Sequence, residues 1–183
     1  MSTEPTARWV VPLQDGRTHV VEFDHGTASG RRIVKIDGTT LIHREWMFRL
    51  VGDETFMFAG NKFTIRVDPI TGLRYSYTLW VNGKSFQSFI QSQSKILETW
   101  ITTIDDTEYR IVLDKVGQLI RVNGEPVDVE NQFVDGGAEM LFTVGGKQAV
   151  IQSCTSEKKS DGIKYMLFID GTEITEKGLL ADP

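Results

Sequence analysis

One cysteine, three histidines and five prolines in 183 residues leave little room for several kinds of function. The single thiol, Cys154, can form no internal disulfide, which argues against an oxidised secreted scaffold and for a reducing compartment. His19, His25 and His43 have neither the i,i+2 spacing of a strand pair nor the i,i+4 spacing of a helix pair. With no cysteine near them in sequence, neither a metal site nor a resident cofactor is expected. No apolar run approaches the ~20 residues that span a bilayer. The stretch from Met1 to Thr6 is polar and carries Glu4, the wrong chemistry for a secretory leader. The 20 Lys and Arg residues form no dense cluster, and the formal net charge is −5. A phosphate-tracking protein needs concentrated cations to displace counterions, so nucleic acid and membrane insertion are excluded as expected partnerships. These absences point to a cytoplasmic chain of one large or two small domains.

What is present is a repeat. Trp9-Val10-Val11-Pro12-Leu13 reads against Trp100-Ile101-Thr102-Thr103-Ile104 at an offset of 91, and Val20-Val21-Glu22-Phe23 against Arg110-Ile111-Val112-Leu113 at 90. Arg32-Ile33-Val34-Lys35-Ile36-Asp37-Gly38 matches Gln118-Leu119-Ile120-Arg121-Val122-Asn123-Gly124 at 86. Glu54-Thr55-Phe56-Met57-Phe58 is set against Glu139-Met140-Leu141-Phe142-Thr143 at 85, and Tyr77–Gly83 against Tyr165–Gly171 at 88. The offset changes within His25–Gly30 and around Asp68–Gly72 and Ser156–Gly162, all loop-like by composition. Length differences fall there because loops absorb them at small entropic cost.

The matched segments alternate polar and apolar residues and are rich in β-branched and aromatic side chains, the pattern of half-buried strands. Asp37-Gly38, Asn82-Gly83, Asn123-Gly124 and Asp170-Gly171 each follow an Ile or Val, and such pairs favour the type I′ hairpin. The expected fold is all-β, two tandem antiparallel β-sandwich domains related by internal duplication, at residues 7–90 and 98–177. Residues 91–97 read as a linker. From Ser85 to Glu98, Phe86, Phe89 and Ile90 have helical spacing, but the polar Gln91-Ser92-Gln93-Ser94 interrupts it.

Candidate catalytic groups are few. Cys154 lies in the strand-like Ala149–Cys154, where a small buried hydrophobe is a better reading than an activated nucleophile. The Gly-rich His25–Gly30 and Asp135–Gly137 lack a GK[ST] element and open no helix, so they read as turns rather than phosphate cradles. Asp53-Glu54 and Asp105-Asp106 fall at turns. No enzymatic activity is expected.

Arg44-Glu45-Trp46-Met47-Phe48-Arg49-Leu50-Val51-Gly52 is the segment most suited to a partner. Read as a strand, it places Trp46, Phe48 and Leu50 on a core face and Met47 and Arg49 on the other. Met47 and Arg49, with Trp80 or Tyr75 nearby, then form a candidate partner-binding surface, since Met, Arg and aromatics are enriched at interfaces.

The same segment carries a resemblance. Glu22-Phe23-Asp24-His25-Gly26-Thr27-Ala28-Ser29-Gly30-Arg31-Arg32 followed by Asp37-Gly38, then Glu45–Gly52, Gly72–Leu79 and Val81–Ser85, resembles the Fas apoptotic inhibitory molecule family. Tyr109–Leu113 and Gln132–Gly137 are similar to its later landmarks, so the likeness runs from about Trp9 to Ile174. The resemblance implies a cytosolic, non-enzymatic protein of two β-sandwich domains. It also implies opposition to apoptosis signalled by Fas and related death receptors, through death-receptor signalling components or misfolded clients, and restraint of protein aggregation under stress. The chain departs from the vertebrate pattern at Met57–Asn61, which is shorter and more apolar, and throughout its second half. A cytosolic small-ligand-binding β protein is the alternative, and a third reading is an enzyme built on Cys154 or a histidine.

Overall fold

The computed structural model describes residues 4–72, 74–155 and 162–178, the side chain of Thr155 excepted. The expected loop at 156–161 and Leu73 of the Gly72–Leu79 motif lie outside them. The chain divides into two compact units, the main boundary falling between Gln93 and Ser94, with Gln14–Arg17 grouped with the second.

In the first unit, β1 (Ala7–Pro12), β2 (Thr18–His25), β3 (Arg32–Ile36) and β4 (Thr39–Arg44) form one antiparallel meander. A second is formed by β5 (Gly52–Phe58), β6 (Asn61–Pro69), β7 (Tyr75–Val81) and β8 (Lys84–Ser85). Val11, Val21, Phe23 and Val34 from one sheet share a buried cluster with Phe63, Ile65, Leu79 and Val81 from the other. Two alternating faces closing on one another in this way are a sandwich.

The segment after β8 is helical through the polar residues expected to interrupt it. Helix α1 runs from Phe86 to Ile96, and β9 begins directly at Leu97. The Ser85 hydroxyl accepts from the Ser88 N–H at 3.4 Å, an N-cap, and Phe86, Phe89 and Ile90 turn into the first core. Burial of that short apolar stripe, with Gln93 buried beside it, outweighs the weak propensity of the Gln and Ser residues.

In the second unit, β9 (Leu97–Ile104), β10 (Thr107–Asp114), β11 (Leu119–Val122) and β12 (Glu125–Pro126) make one meander. The other contains β13 (Glu130–Val134), β14 (Gly137–Val144), β15 (Lys147–Thr155), β16 (Ile163–Ile169) and β17 (Thr172–Ile174). Trp100, Ile111, Leu113 and Ile120 pack with Met140, Phe142, Ile151 and Leu167 in its core.

All four expected hairpin turns have both central residues at positive φ, from 47° to 85°. They also share a device that composition does not disclose. The turn N–H of Asp37, Asn82, Asn123 and Asp170 donates to the carbonyl of Val20, Lys62, Arg110 and Gln148 respectively. The side-chain oxygens of Asp37, Asn82 and Asn123 accept the N–H of those same strand residues at 2.8–2.9 Å. Each turn is thereby pinned to the neighbouring strand, and the pattern occurs in both units.

The facing of side chains corrects one pairing. Glu54 and Phe56 are buried on β5, and Met140 and Phe142 on β14. Glu54 therefore stands where Met140 stands and Phe56 where Phe142 stands, one residue from the match at Glu139. A slip of one residue would turn every side chain to the wrong face.

With that register, residues 39–52 and 125–138 are equivalent and equal in length, yet they are folded differently. In the second unit β12 stops at Pro126, which has no N–H to continue a ladder, and the chain then joins the other sheet as β13. In the first unit Thr40 stands in that place, β4 continues to Arg44, and no strand among the described residues covers β5.

Candidate functional site

Residues 45–51, expected to be strand, cross irregularly from β4 to β5. The Met47 N–H donates to the Ser29 carbonyl at 3.1 Å. Gly30, at φ +69°, lets the Met47 backbone approach so closely that a side chain there would strike the Met47 carbonyl. The turn beneath is closed by Gly30 N–H to Gly26 carbonyl at 2.7 Å and Gly26 N–H to Arg31 carbonyl at 2.9 Å. With the backbone held in this way, Met47 is half-buried while Trp46 is 80% and Phe48 fully exposed. This inverts the expected facing, in which Trp46 and Phe48 belonged to the core.

Below the crossover lies a buried polar cluster. His25, read from sequence as a loop residue, is the last residue of β2 and pairs with Arg32 on β3. Arg32 is 1% exposed, and its Nη1 lies 3.6 Å from Glu54 Oε2 on the opposing sheet. Arg44 completes the arrangement, its Nη2 and Nε donating to Glu54 Oε1 at 3.2 and 3.3 Å. His25 Nδ1 and the Tyr77 hydroxyl are hydrogen-bonded at 3.0 Å, and the Tyr75 ring meets the imidazole edge-on at 4.9 Å. Burial, and then the Arg32 guanidinium, lower the His25 pKa below the usual histidine value, opposed by the Leu50 backbone. Burial raises that of Tyr77. His25 Nε2 and Arg32 Nε and Nη2 have no hydrogen-bond partner among the described residues. The cluster ties the two sheets together under the crossover.

Three motifs of the family resemblance, Glu22–Arg32, Glu45–Gly52 and Gly72–Leu79, thus meet at this one place. Across the whole chain, the family model described as Fas apoptotic inhibitory molecule matches residues 5–177. The chain belongs to the Fas apoptotic inhibitory molecule family. It is 42% identical over 176 residues to human Fas apoptotic inhibitory molecule 1, covering 95% of this chain and 98% of the human protein. The bovine and rat proteins of the same name are 41% and 43% identical, each over 95% of this chain and 87% of their own length.

In this member of the family, Met47, Arg49, Trp80 and Tyr75 do not share one surface. Met47 packs on the Ser29–Gly30 turn, and the Arg49 guanidinium lies beside Gly52. Trp80 and Tyr75 are five residues apart on β7 and face opposite sides of the sheet. The Arg66 guanidinium stands 5.4 Å over the Trp80 ring, while Tyr75 turns toward His25. Trp46 and Phe48 are the exposed aromatics of the segment. Alternation alone could not find them, because Trp-x-Phe-x-Leu reads as a buried face.

Other candidates fall elsewhere. His19 is buried on β2, its Nδ1 2.7 Å from Asp37 Oδ2, and His43 is exposed on β4 beside Glu45. No group of three metal-ligating side chains occurs among the described residues. Cys154 is half-buried on β15, opposite Gly137 and Lys164, rather than enclosed in the core. An open recess of about 700 Å³ in the second unit is lined by residues 126–130, Leu141, Phe142, Thr143 and Gln148. No helix among the described residues is long and apolar enough to cross a membrane.

Proposed function

We propose that this chain is a non-enzymatic cytosolic interaction protein that inhibits Fas-type death-receptor apoptosis and restrains aggregation of stressed proteins. The observation that carries this reading is the extent of the likeness: 42% identity reaches across 95% of the chain and 98% of a human relative named for inhibiting Fas apoptosis. Two features support the non-enzymatic part. His25, Arg32 and Glu54 are buried between the two sheets, and at 1% exposure Arg32 offers a substrate no approach. Cys154 has no histidine in its own unit to serve as its base. The exposed Trp46 and Phe48 are side chains suited to a protein partner.

The test is rescue. Human cells depleted of their own relative are challenged with Fas ligand, with and without this chain. Restored survival supports the reading, and unchanged death in cells that express the folded protein sinks it. Light scattering by a heat-stressed client, with and without purified chain, decides the aggregation part separately.

A further inference from the structure

The difference between residues 39–52 and 125–138 leaves an open edge in the first unit. In the second unit β13 lies antiparallel on β14, Asn131 opposite Met140 and Gln132 opposite Glu139. In the first, the equivalent residues have left the sheet, and β5 is its edge strand. Phe58 and Asn61 close a two-residue hairpin through Ala59 and Gly60, both at positive φ, so they form a mutually hydrogen-bonded pair. Alternate residues from there, Phe56 and Glu54, turn their backbone groups to β6. The N–H and C=O groups of Asp53, Thr55 and Met57 therefore point outward, and no backbone partner for them occurs among the described residues.

Edges of this kind are usually guarded by proline, lysine, a bulge or an inward charge that a new strand would bury. The β5 sequence GDETFMF has no proline or lysine, and its pairing with β6 is regular. Its inward charge, Glu54, is already buried and held by Arg32 and Arg44, so an added strand imposes no new desolvation on it. The crossover that carries Trp46 and Phe48 is tied to β5 at both ends, by Arg44 on Glu54 and by Arg49 against Gly52. Met57, on β5 itself, is a third exposed apolar side chain.

The geometry points to β5 as the acceptor for an extended, proline-free segment of a partner polypeptide, added antiparallel, with alternating apolar side chains packed against Trp46 and Phe48. Main-chain hydrogen bonds supply the affinity of such an added strand, and the flanking side chains supply the selection. The second unit shows what this edge of the fold takes when it is covered: one short antiparallel strand. The inference rests on the interaction-protein reading above and gives it a surface.

The probe is a display library of random linear dodecapeptides selected against the full chain, with amide hydrogen exchange on the best binders. The expected result is that bound peptide slows exchange at Asp53, Thr55 and Met57 by about tenfold or more. The Thr55→Pro variant removes an outward donor and leaves the backbone ladder to β6 in place, losing only the exposed hydroxyl hydrogen bond to Thr64, and it abolishes that protection. W46S/F48S lowers peptide affinity by about tenfold. Should Thr55→Pro lose the native protection of β6 and β7, peptides N-methylated at alternate residues in each of the two phases decide the matter: the phase that blocks the N–H groups facing β5 cannot complete the ladder and should not bind, and the other phase should. Failure to enrich any peptide overturns the proposal. So does binding that persists with both phases of N-methylated peptide or in a folded Thr55→Pro variant, or protection confined to Glu130–Val134 of β13. The Fas-ligand rescue assay stands apart: loss of rescue by the wild-type chain defeats the functional reading and leaves the peptide result intact. Full rescue by a folded Thr55→Pro variant that no longer binds peptide separates the edge from that function.

Discussion

The carbonyl oxygen of Met47 occupies the space that a side chain on Gly30 would need. Gly30 also sits at φ +69°, so an alanine there meets both a backbone it disfavours and an occupied position. Gly38, at φ +77° in a hairpin turn, has nothing within 4 Å of its missing side chain and serves as the control. Gly38→Ala should cost about 1 kcal/mol through the left-handed backbone alone. Gly30→Ala should cost about 2–4 kcal/mol, because the crossover must also shift. Urea denaturation of the two variants checks the difference, and equal costs would mean that Met47 does not press on Gly30.

Arg32 and Glu54 join the two sheets of the first unit across its core, and each is buried. Removing one member leaves the other charge desolvated, so Arg32→Met or Glu54→Leu alone should lose about 3–5 kcal/mol. The double variant should recover most of that loss, because neither charge is then stranded and Arg44 reaches solvent. A double-mutant cycle in denaturant measures the coupling. Additive losses would show that the two charges act independently.

His25 gives this unit a pH dependence of definite sign. Its folded pKa lies below the usual histidine value near 6.5 because burial and Arg32 disfavour the imidazolium. Between the folded and unfolded pKa values the unfolded chain binds more protons, so stability rises with pH there. Above about pH 6.5 both states are neutral at this group and it contributes nothing further; as pH falls below that value it destabilises the fold. Thermal melts from pH 7.5 to 5 should show a fall that is shallower in His25→Gln, the difference between the two curves isolating this group from the other histidines.

The legibility of these features in the sequence follows the range of the forces involved. Asp37-Gly38 and its three counterparts could be read because positive φ is a local demand written in two letters. Alternation likewise identified the strands, but it left the β5 register ambiguous: neither Glu-Thr-Phe-Met-Phe nor Glu-Met-Leu-Phe-Thr alternates cleanly, and matching their glutamates put Glu54 one residue out. Only burial on both sides of each sheet settles the phase. Helix α1 was weakly signalled since three apolar residues span little more than one turn, and its docking on the first core is a long-range contact. The crossover was misread for the same reason. What turns Trp46 and Phe48 outward is the seat that Gly30 gives Met47, with Arg44 held on Glu54, and neither leaves a periodic trace. The buried cluster draws His25, Arg32, Glu54 and Tyr77 from four strands, so no spacing rule could collect it.

Exposure of Trp46 and Phe48 makes a prediction that separates them from the other large aromatics. Trp100 is 1% exposed in the core of the second unit, and deleting such a ring leaves a cavity as well as losing its transfer energy. Trp100→Ala should therefore cost about 3–5 kcal/mol. W46S/F48S removes two aromatic side chains that are already in water, and it should change stability by no more than about 0.5 kcal/mol. Acrylamide should quench the Trp46 contribution to fluorescence efficiently and the Trp100 contribution poorly, read as the loss of an accessible fraction in W46S. A W46S/F48S variant destabilised by several kcal/mol, with no loss of quenchable emission, would place these rings inside the sandwich, as their alternation with Leu50 first suggests. Solvent-facing rings at no cost in stability would instead leave both side chains available to a partner, at the end of a sheet whose edge is open.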